Sequence, residues 1–210
     1  MKASIASASA LLAVLPGVMS QGFGIMALRS ASPIHFGSVH ANDYNFWIGK
    51  NTTSYCPGEV VTNCPVDPQT NFAGGNVTLS LNVVVPGGQR GKSPNSPYCF
   101  YPDTSCDPEL TIGVLAVFVA PDGQLGYTQA HSGYAPEGSV FTGFTKVNGS
   151  QFDTLSFTGG LVACPTGSTE DRGYPYQIYG QLPGVVLPTG CLGFTAAAVN
   201  STGPTAWQYV

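Results

Sequence analysis

Apolar and polar residues alternate most cleanly at Val77, Leu79, Leu81 and Val83, with Thr78, Ser80 and Asn82 between them. A period of two sends one set of side chains to a buried face and the other to solvent, so this run predicts a half-buried strand. Shorter runs of the same kind recur over 23–28, 34–39, 46–48, 125–127, 155–157, 161–164, 176–179 and 192–199. Turn-forming sequences separate them, including Pro86-Gly87-Gly88, Asp122-Gly123, Asn148-Gly149, Gly159-Gly160 and Pro183-Gly184. No stretch beyond the N-terminal leader keeps a helical period for three turns. The predicted fold class is all-β, one body of many short strands.

A phrase of polar, apolar, small or polar, then apolar or aromatic residue occurs three times, as Thr78-Leu79-Ser80-Leu81, Gln124-Leu125-Gly126-Tyr127 and Thr154-Leu155-Ser156-Phe157. Three such phrases among about a dozen strands favour a β-trefoil, with a β-sandwich as the alternative. Their spacing is uneven, which argues against true internal repetition.

The opening MKASIASASALLAVLPGVMS has a basic start at Lys2, a short apolar stretch and a small-residue exit at Val18 and Ser20. It reads as a secretory signal peptide over 1–20, with cleavage before Gln21 and one all-β domain over 21–210. The run is too short and too interrupted to span a bilayer, and AWQYV at the end is not a hydrophobic anchor signal. Export to the cell exterior or wall is therefore expected, with no membrane partner.

Composition sharpens this picture. Only 9% of residues are charged, while Gly (27) and Pro (17) are abundant, a balance suited to short strands and turns. Without Lys2, six basic residues face 11 acids, a net charge of about −5, so no basic patch exists to displace phosphate counterions and nucleic acid is not an expected partner. In an oxidising compartment the six cysteines read as disulfides. Cys56 and Cys64 are close enough to close a small loop, and Cys164 with Cys191 can tie two later segments. Sequons at Asn51, Asn76, Asn148 and Asn200 are candidate glycosylation sites.

One segment breaks the succession of strands. Residues 91–116 are rich in Pro and carry Cys99 and Cys106, so they read as an irregular insertion. Either it is a loop closed by Cys99–Cys106, or it is a retained intron. Gly91-Lys92-Ser93 can be encoded with the donor GTAAGT, Leu110-Thr111 with the branch string CTAAC, and Ala116-Val117 with an acceptor CAG, all in phase. Excision would join VVVPGGQR to VFVAPDGQLGYTQ as a hairpin around Pro-Gly-Gly.

Candidate chemistry is sparse. His35, His40 and His131 are the only imidazoles, and neither a GxSxG elbow nor an HExxH motif is present, so no catalytic residue, cofactor or metal site is assigned. His131 adjoins Ser132, but neighbours on a strand face apart and a turn or surface role is the plainer reading. The acids fall mostly in turn contexts such as Asp122-Gly123, Asp67-Pro68 and Glu170-Asp171, where solvated charge explains them. A polysaccharide hydrolase would need two of them across a cleft. Aromatics offer a better lead, and Trp47, Tyr134 and Tyr176 are candidate platforms for stacking on sugar rings.

FGIMALRSASPIHFGSVHANDYNFWIG, VAPDGQLGYTQAH, LSFTGGLVACP and CLGFTAAAV, in that order, resemble the fungal PhiA-like cell wall proteins, also described as IgE-binding or allergen-like secreted proteins. The resemblance spans nearly the whole mature chain and is broken at 91–116. It implies a secreted or wall-associated, non-enzymatic protein connected with fungal development. The expected role is structural or adhesive, with wall polysaccharide or wall proteins as partners. The rival readings are a secreted carbohydrate-binding module, an effector that binds a host protein, and a polysaccharide-acting hydrolase.

Overall fold

The computed structural model describes residues 22–59, 64–83, 113–167, 175–201 and 205–210. The leader, Cys99 and Cys106 lie outside them. The described residues form fourteen strands and no α-helix. In chain order these are β1 (Phe23–Leu28), β2 (Val39–Asn42), β3 (Asn45–Ile48), β4 (Ser54–Tyr55), β5 (Phe72–Val83), β6 (Gly113–Val119) and β7 (Leu125–Tyr127). They continue with β8 (Thr142–Val147), β9 (Asp153–Phe157), β10 (Leu161–Pro165), β11 (Tyr176–Gly180), β12 (Leu192–Gly193), β13 (Thr195–Asn200) and β14 (Gln208–Tyr209).

All ladders between strands are antiparallel, in the order β1-β13-β9-β8-β5-β6-β7-β3-β11-β10-β12, with β2 on the free side of β3 and β4 paired separately with β14. The long path folds into two sheets that share β6. Its first half pairs with β5, Ser80 to Ala116 through Val83 to Gly113, and its second half with β7, Val117 to Tyr127 through Val119 to Leu125. A strand that changes sheets makes the corner of a sandwich. Phe23 of β1 also meets Phe72 of β5, so β1, β13, β9, β8 and β5 curl back on themselves. This order is not three equivalent units, and the three similar phrases fall on β5, β7 and β9 in non-equivalent places. The sandwich alternative fits, and the trefoil detail is not confirmed.

One main core lies between the sheets. β1 shows why: Phe23, Ile25 and Ala27 are buried while Gly24, Met26 and Leu28 are not, the alternation that a one-sided strand requires. Phe46, Phe72 and Tyr127 pack ring against ring at its centre, with centroids 5.2 Å apart in each of the pairs Phe46–Phe72 and Phe46–Tyr127. Tyr209 closes it from β14: its hydroxyl donates to the Gln69 carbonyl at 2.7 Å and accepts the Asn71 N–H at 2.9 Å.

Three expectations are corrected by this packing. Residues 34–39 are not a strand: Ile34 is buried in a turn, Phe36 sits at φ 62°, and only Val39 begins β2. In β5, Leu79, Leu81 and Val83 face the core as the period predicts, but Val77 is 57% exposed. The register against β8 shifts between Val77 and Thr78, and Val77 adopts φ 80°, so one bulge rotates it out of phase. Residues 113–116, read as the end of the irregular insertion, are regular strand, and Leu115 is 1% exposed opposite Leu81. Excision up to codon 117 would remove that core residue.

Candidate functional site

The sheet built from β6, β7, β3 and β11 has a second face that looks away from the core, and its residues follow from register. Phe118 of β6 lies opposite Gly126 of β7, which lies opposite Asn45 of β3. Their neighbours Val117, Leu125 and Phe46 point into the core, so period two sends all three outward. Gly126 brings no side chain to the middle of this row. A Cβ there would stand 3.0 Å from the Phe118 ring and 3.1 Å from the Tyr44 carbonyl. Its φ is not in the left-handed region, so this glycine is required for space rather than for backbone conformation. The result is an open cleft of about 370 Å³ over Gly126, within the range of small-ligand sites.

Aromatic rings line it. Phe118 forms a buried wall, Tyr44 is 37% exposed, and Tyr134 stands at the mouth, 77% exposed. Tyr44 reaches its place through strain. The Asn42–Asn45 hairpin puts both Asp43 (φ 51°) and Tyr44 (φ 57°) in the left-handed region, as a type I′ turn demands, where Asn-Gly or Asp-Gly is the comfortable pair. A bulky residue there costs about 1–3 kcal/mol and persists only when its surroundings fix it. Tyr127 supplies the fixing: the Tyr44 N–H donates to its hydroxyl at 3.2 Å, and the Tyr44 carbonyl accepts its N–H at 3.2 Å. Burial drives the Tyr127 phenol pKa well above its ordinary value, so that hydroxyl stays protonated and also donates to the Val210 carbonyl.

Beside the rings runs a ladder of polar side chains. Asp122 accepts the Gln124 N–H at 3.0 Å on one oxygen and the Gln124 Nε2 at 2.8 Å on the other. The buried Gln177 Nε2 donates to Gln124 Oε1 at 2.8 Å and to Asn45 Oδ1 at 3.2 Å, and Tyr179 OH donates to Gln177 Oε1 at 3.4 Å. Asn45 Nδ2 then donates to the Asp43 carbonyl at 2.8 Å. Each amide is oriented by its neighbour, and Asp122, Gln124 and Asn45 border the open volume. Asp122 is the one acid among the described lining residues, with no lysine or arginine there.

The three sequence-predicted stacking residues are not brought together. Tyr134 is at the cleft. Trp47 lies on the same sheet face but is 8% exposed, donates its indole N–H to the Asn42 carbonyl at 2.9 Å, and is capped by Lys50 Nζ 3.2 Å from its ring centroid. It therefore presents no open platform. Tyr176 is opposite Ile48, on the core-facing side, and packs against the core. Tyr44, Phe118, Asn45, Asp122 and Gln124 were not singled out as binding residues. The legible signal for the first was a bulky Tyr in an Asn-Asp-Tyr-Asn hairpin turn.

The remaining assignments fall elsewhere. Cys56 pairs with Cys64 and Cys164 with Cys191. The second bridge sits in a small outer cluster of Val162, Cys164 and Tyr179 covered by Leu187 and Cys191. Asn51, Asn76, Asn148 and Asn200 are all exposed. His40 is half-buried, its ring Nδ1 3.0 Å from Thr52 Oγ1, and burial lowers its pKa. His131 occupies a turn at φ 61°. Among the described residues no group of His, Cys, Asp and Glu is placed to hold a metal, and no helix is long and apolar enough to cross a membrane.

Comparison with known proteins places the chain. A model of the PhiA-like secreted protein family matches residues 110–210, the part that carries Phe118, Asp122, Gln124, Gly126 and Tyr134. An uncharacterized secreted protein of Arthroderma benhamiae is 33% identical over 175 residues, spanning 78% of this chain and 73% of its own length. No solved structure matches. Taken with the four motifs spread along the sequence, these matches show that the chain belongs to the PhiA-like secreted proteins of fungi.

Proposed function

We propose that this secreted fungal protein is a non-catalytic structural or adhesive component of the cell wall, retained there without a covalent bond. The observation that carries the reading is the open cleft over Gly126, walled by rings and amides rather than by paired acids. Most glycosidases hydrolyse their bond with two carboxyl groups about 5–10 Å apart across it. At the cleft Asp122 is the single carboxylate among the described lining residues, and both of its oxygens are engaged by Gln124. Few charges and an abundance of hydroxyl, amide and aromatic groups suit neutral polymer better than ionic docking. The exposure of Asn51, Asn76, Asn148 and Asn200 supports N-glycosylation at these positions, which an endoglycosidase mass shift would register.

The test is co-sedimentation of the purified mature protein with insoluble fungal wall material. Retention through a wash at 1 M salt, the order of magnitude that removes surface electrostatics, is the expected outcome. Complete recovery in the supernatant, or release of reducing sugar from the pellet, overturns the proposal.

A further inference from the structure

We propose that the cleft over Gly126 binds a neutral hexopyranose chain, with Tyr44 and Tyr134 stacking on the sugar and Asp122, Gln124 and Asn45 reading its hydroxyls. This deepens the wall reading above and rests on it for the biological source of the ligand. Three independent features of the cleft converge on that ligand class.

The first is shape. Asn45 and Phe118 stand on β3 and β6, two strand spacings apart, roughly 9.5 Å from backbone to backbone. Between them Gly126 carries no side chain, so the edge of the Phe118 ring lies low against the sheet. The hollow thus has an amide on one side and a low floor made partly by the Phe118 ring, an apolar surface that suits the face of a six-membered sugar ring.

The second is hydrogen-bonding sense. A sugar hydroxyl both donates and accepts, so vicinal hydroxyls need donors and acceptors side by side. Gln124 Nε2 gives one hydrogen to Asp122 and keeps one; Asn45 Nδ2 gives one to the Asp43 carbonyl and keeps one. Each Asp122 oxygen accepts one bond from Gln124 and retains a further lone pair. Gln177, buried behind them, fixes the orientation of both amides in advance. Pre-orientation lowers the ordering cost that otherwise weakens binding of a flexible, hydrated ligand. The third feature is charge. One carboxylate and no cation at the lining disfavour an anionic sugar chain, while the rings favour the C–H faces of a neutral one.

The strained Tyr44 turn connects structure to use. A glycine at position 44 would relieve the backbone and remove the ring from the cleft. Keeping Tyr there, held by two bonds to Tyr127, sacrifices stability to hold an aromatic surface where the hollow opens.

The experiment titrates the purified mature protein with tetrasaccharides of β-1,3-glucose, β-1,4-glucose, mannose and N-acetylglucosamine, and with tetragalacturonate, by calorimetry. At least one neutral chain is expected to bind and the uronate is not; which arm responds identifies the polymer. Tyr134→Ala and Gln124→Ala should each weaken that binding about tenfold, the loss of one good contact, whereas Tyr55→Ala, an exposed ring on β4, should not. Circular dichroism melts verify that the variants remain folded. Absence of binding by every neutral chain, or equal affinity in folded Tyr134→Ala and Gln124→Ala, overturns the proposal. Wall co-sedimentation separates the two readings. A Tyr134→Ala, Gln124→Ala double variant that still pellets with the wall refutes this cleft and leaves wall retention standing. Wild-type protein that binds a tetrasaccharide but not the wall refutes retention alone.

Discussion

Tyr209 offers a test of the packing in which the sign of a pH effect is fixed in advance. Its hydroxyl is fully buried, donates to the Gln69 carbonyl at 2.7 Å and accepts the Asn71 N–H at 2.9 Å, so Tyr209→Phe removes one hydrogen bond from each of two backbone groups. Near neutral pH that loss should cost about 1–3 kcal/mol. Burial also pushes the phenol pKa up to about 12, with the backbone hydrogen bond from Asn71 opposing it. A group whose pKa is raised by folding contributes stability in full below its unfolded value and loses it as pH climbs through the folded one. The contribution is therefore intact below pH ~10, about 1.4 kcal/mol smaller by pH 11, and roughly 2–3 kcal/mol smaller near pH 12. Phenylalanine has no such dependence. The stability gap between wild type and variant should then narrow steadily between pH 9.5 and 11.5, and Tyr179, raised by burial in both proteins, cancels from the difference. Urea unfolding followed by tryptophan fluorescence measures the gap at each pH. A gap that stays constant across this range refutes a buried, hydrogen-bonded phenol at Tyr209.

Replacing Cys164 and Cys191 together by Ser should cost more than replacing Cys56 and Cys64: sequence separations of 27 and 8 correspond to about 3.5 and about 2.5 kcal/mol of chain entropy, and urea midpoints in the reverse order would contradict this. Leu115→Ala should destabilise by about 2–5 kcal/mol, because it empties a site opposite Leu81 in the core. A loss below about 0.5 kcal/mol, the scale of ordinary surface substitutions, would mean that 113–116 is dispensable to the sheet, as excision of the segment requires. Lys50→Ala, made in a Trp207→Phe background, should shift Trp47 emission to the red and raise its quenching by iodide; an unchanged spectrum would show that the Lys50 ammonium does not cap the indole.

Where one face of a strand is buried and its turn is short, sequence alone located it closely. The FGIMAL run is β1 to the residue, and Leu125–Tyr127 is β7. Strands without that contrast were missed. β8 reads Thr-Gly-Phe-Thr-Lys-Val with only Phe144 buried, so it carries a single apolar anchor and no alternation to detect. β6 is apolar along most of its length because its two faces meet two environments, core and cleft wall, and it was partly absorbed into the insertion. The leader and the segment through residue 112 lie outside the described residues. The cleft was illegible for a different reason. Asn45, Phe118 and Gly126 become one row only through the β3–β7 and β7–β6 ladders, and a local window contains no trace of that register. Trp47 and Tyr176 were singled out by residue type, yet whether a ring faces water is decided by which neighbour covers it.

β6 gives the molecule a mechanical property. Its first residues are stitched to β5 and its last to β7, so one continuous backbone serves as the seam between the face with the cleft and the curled sheet behind it. A load applied at Asn45 would pass through β7 into that seam and on to β5 in the opposite sheet. The Met26–Ser38 bridge and the Ala27 N–H donated to the Gly37 carbonyl tie the same two sheets at a second place, so separating them requires more than one seam to part.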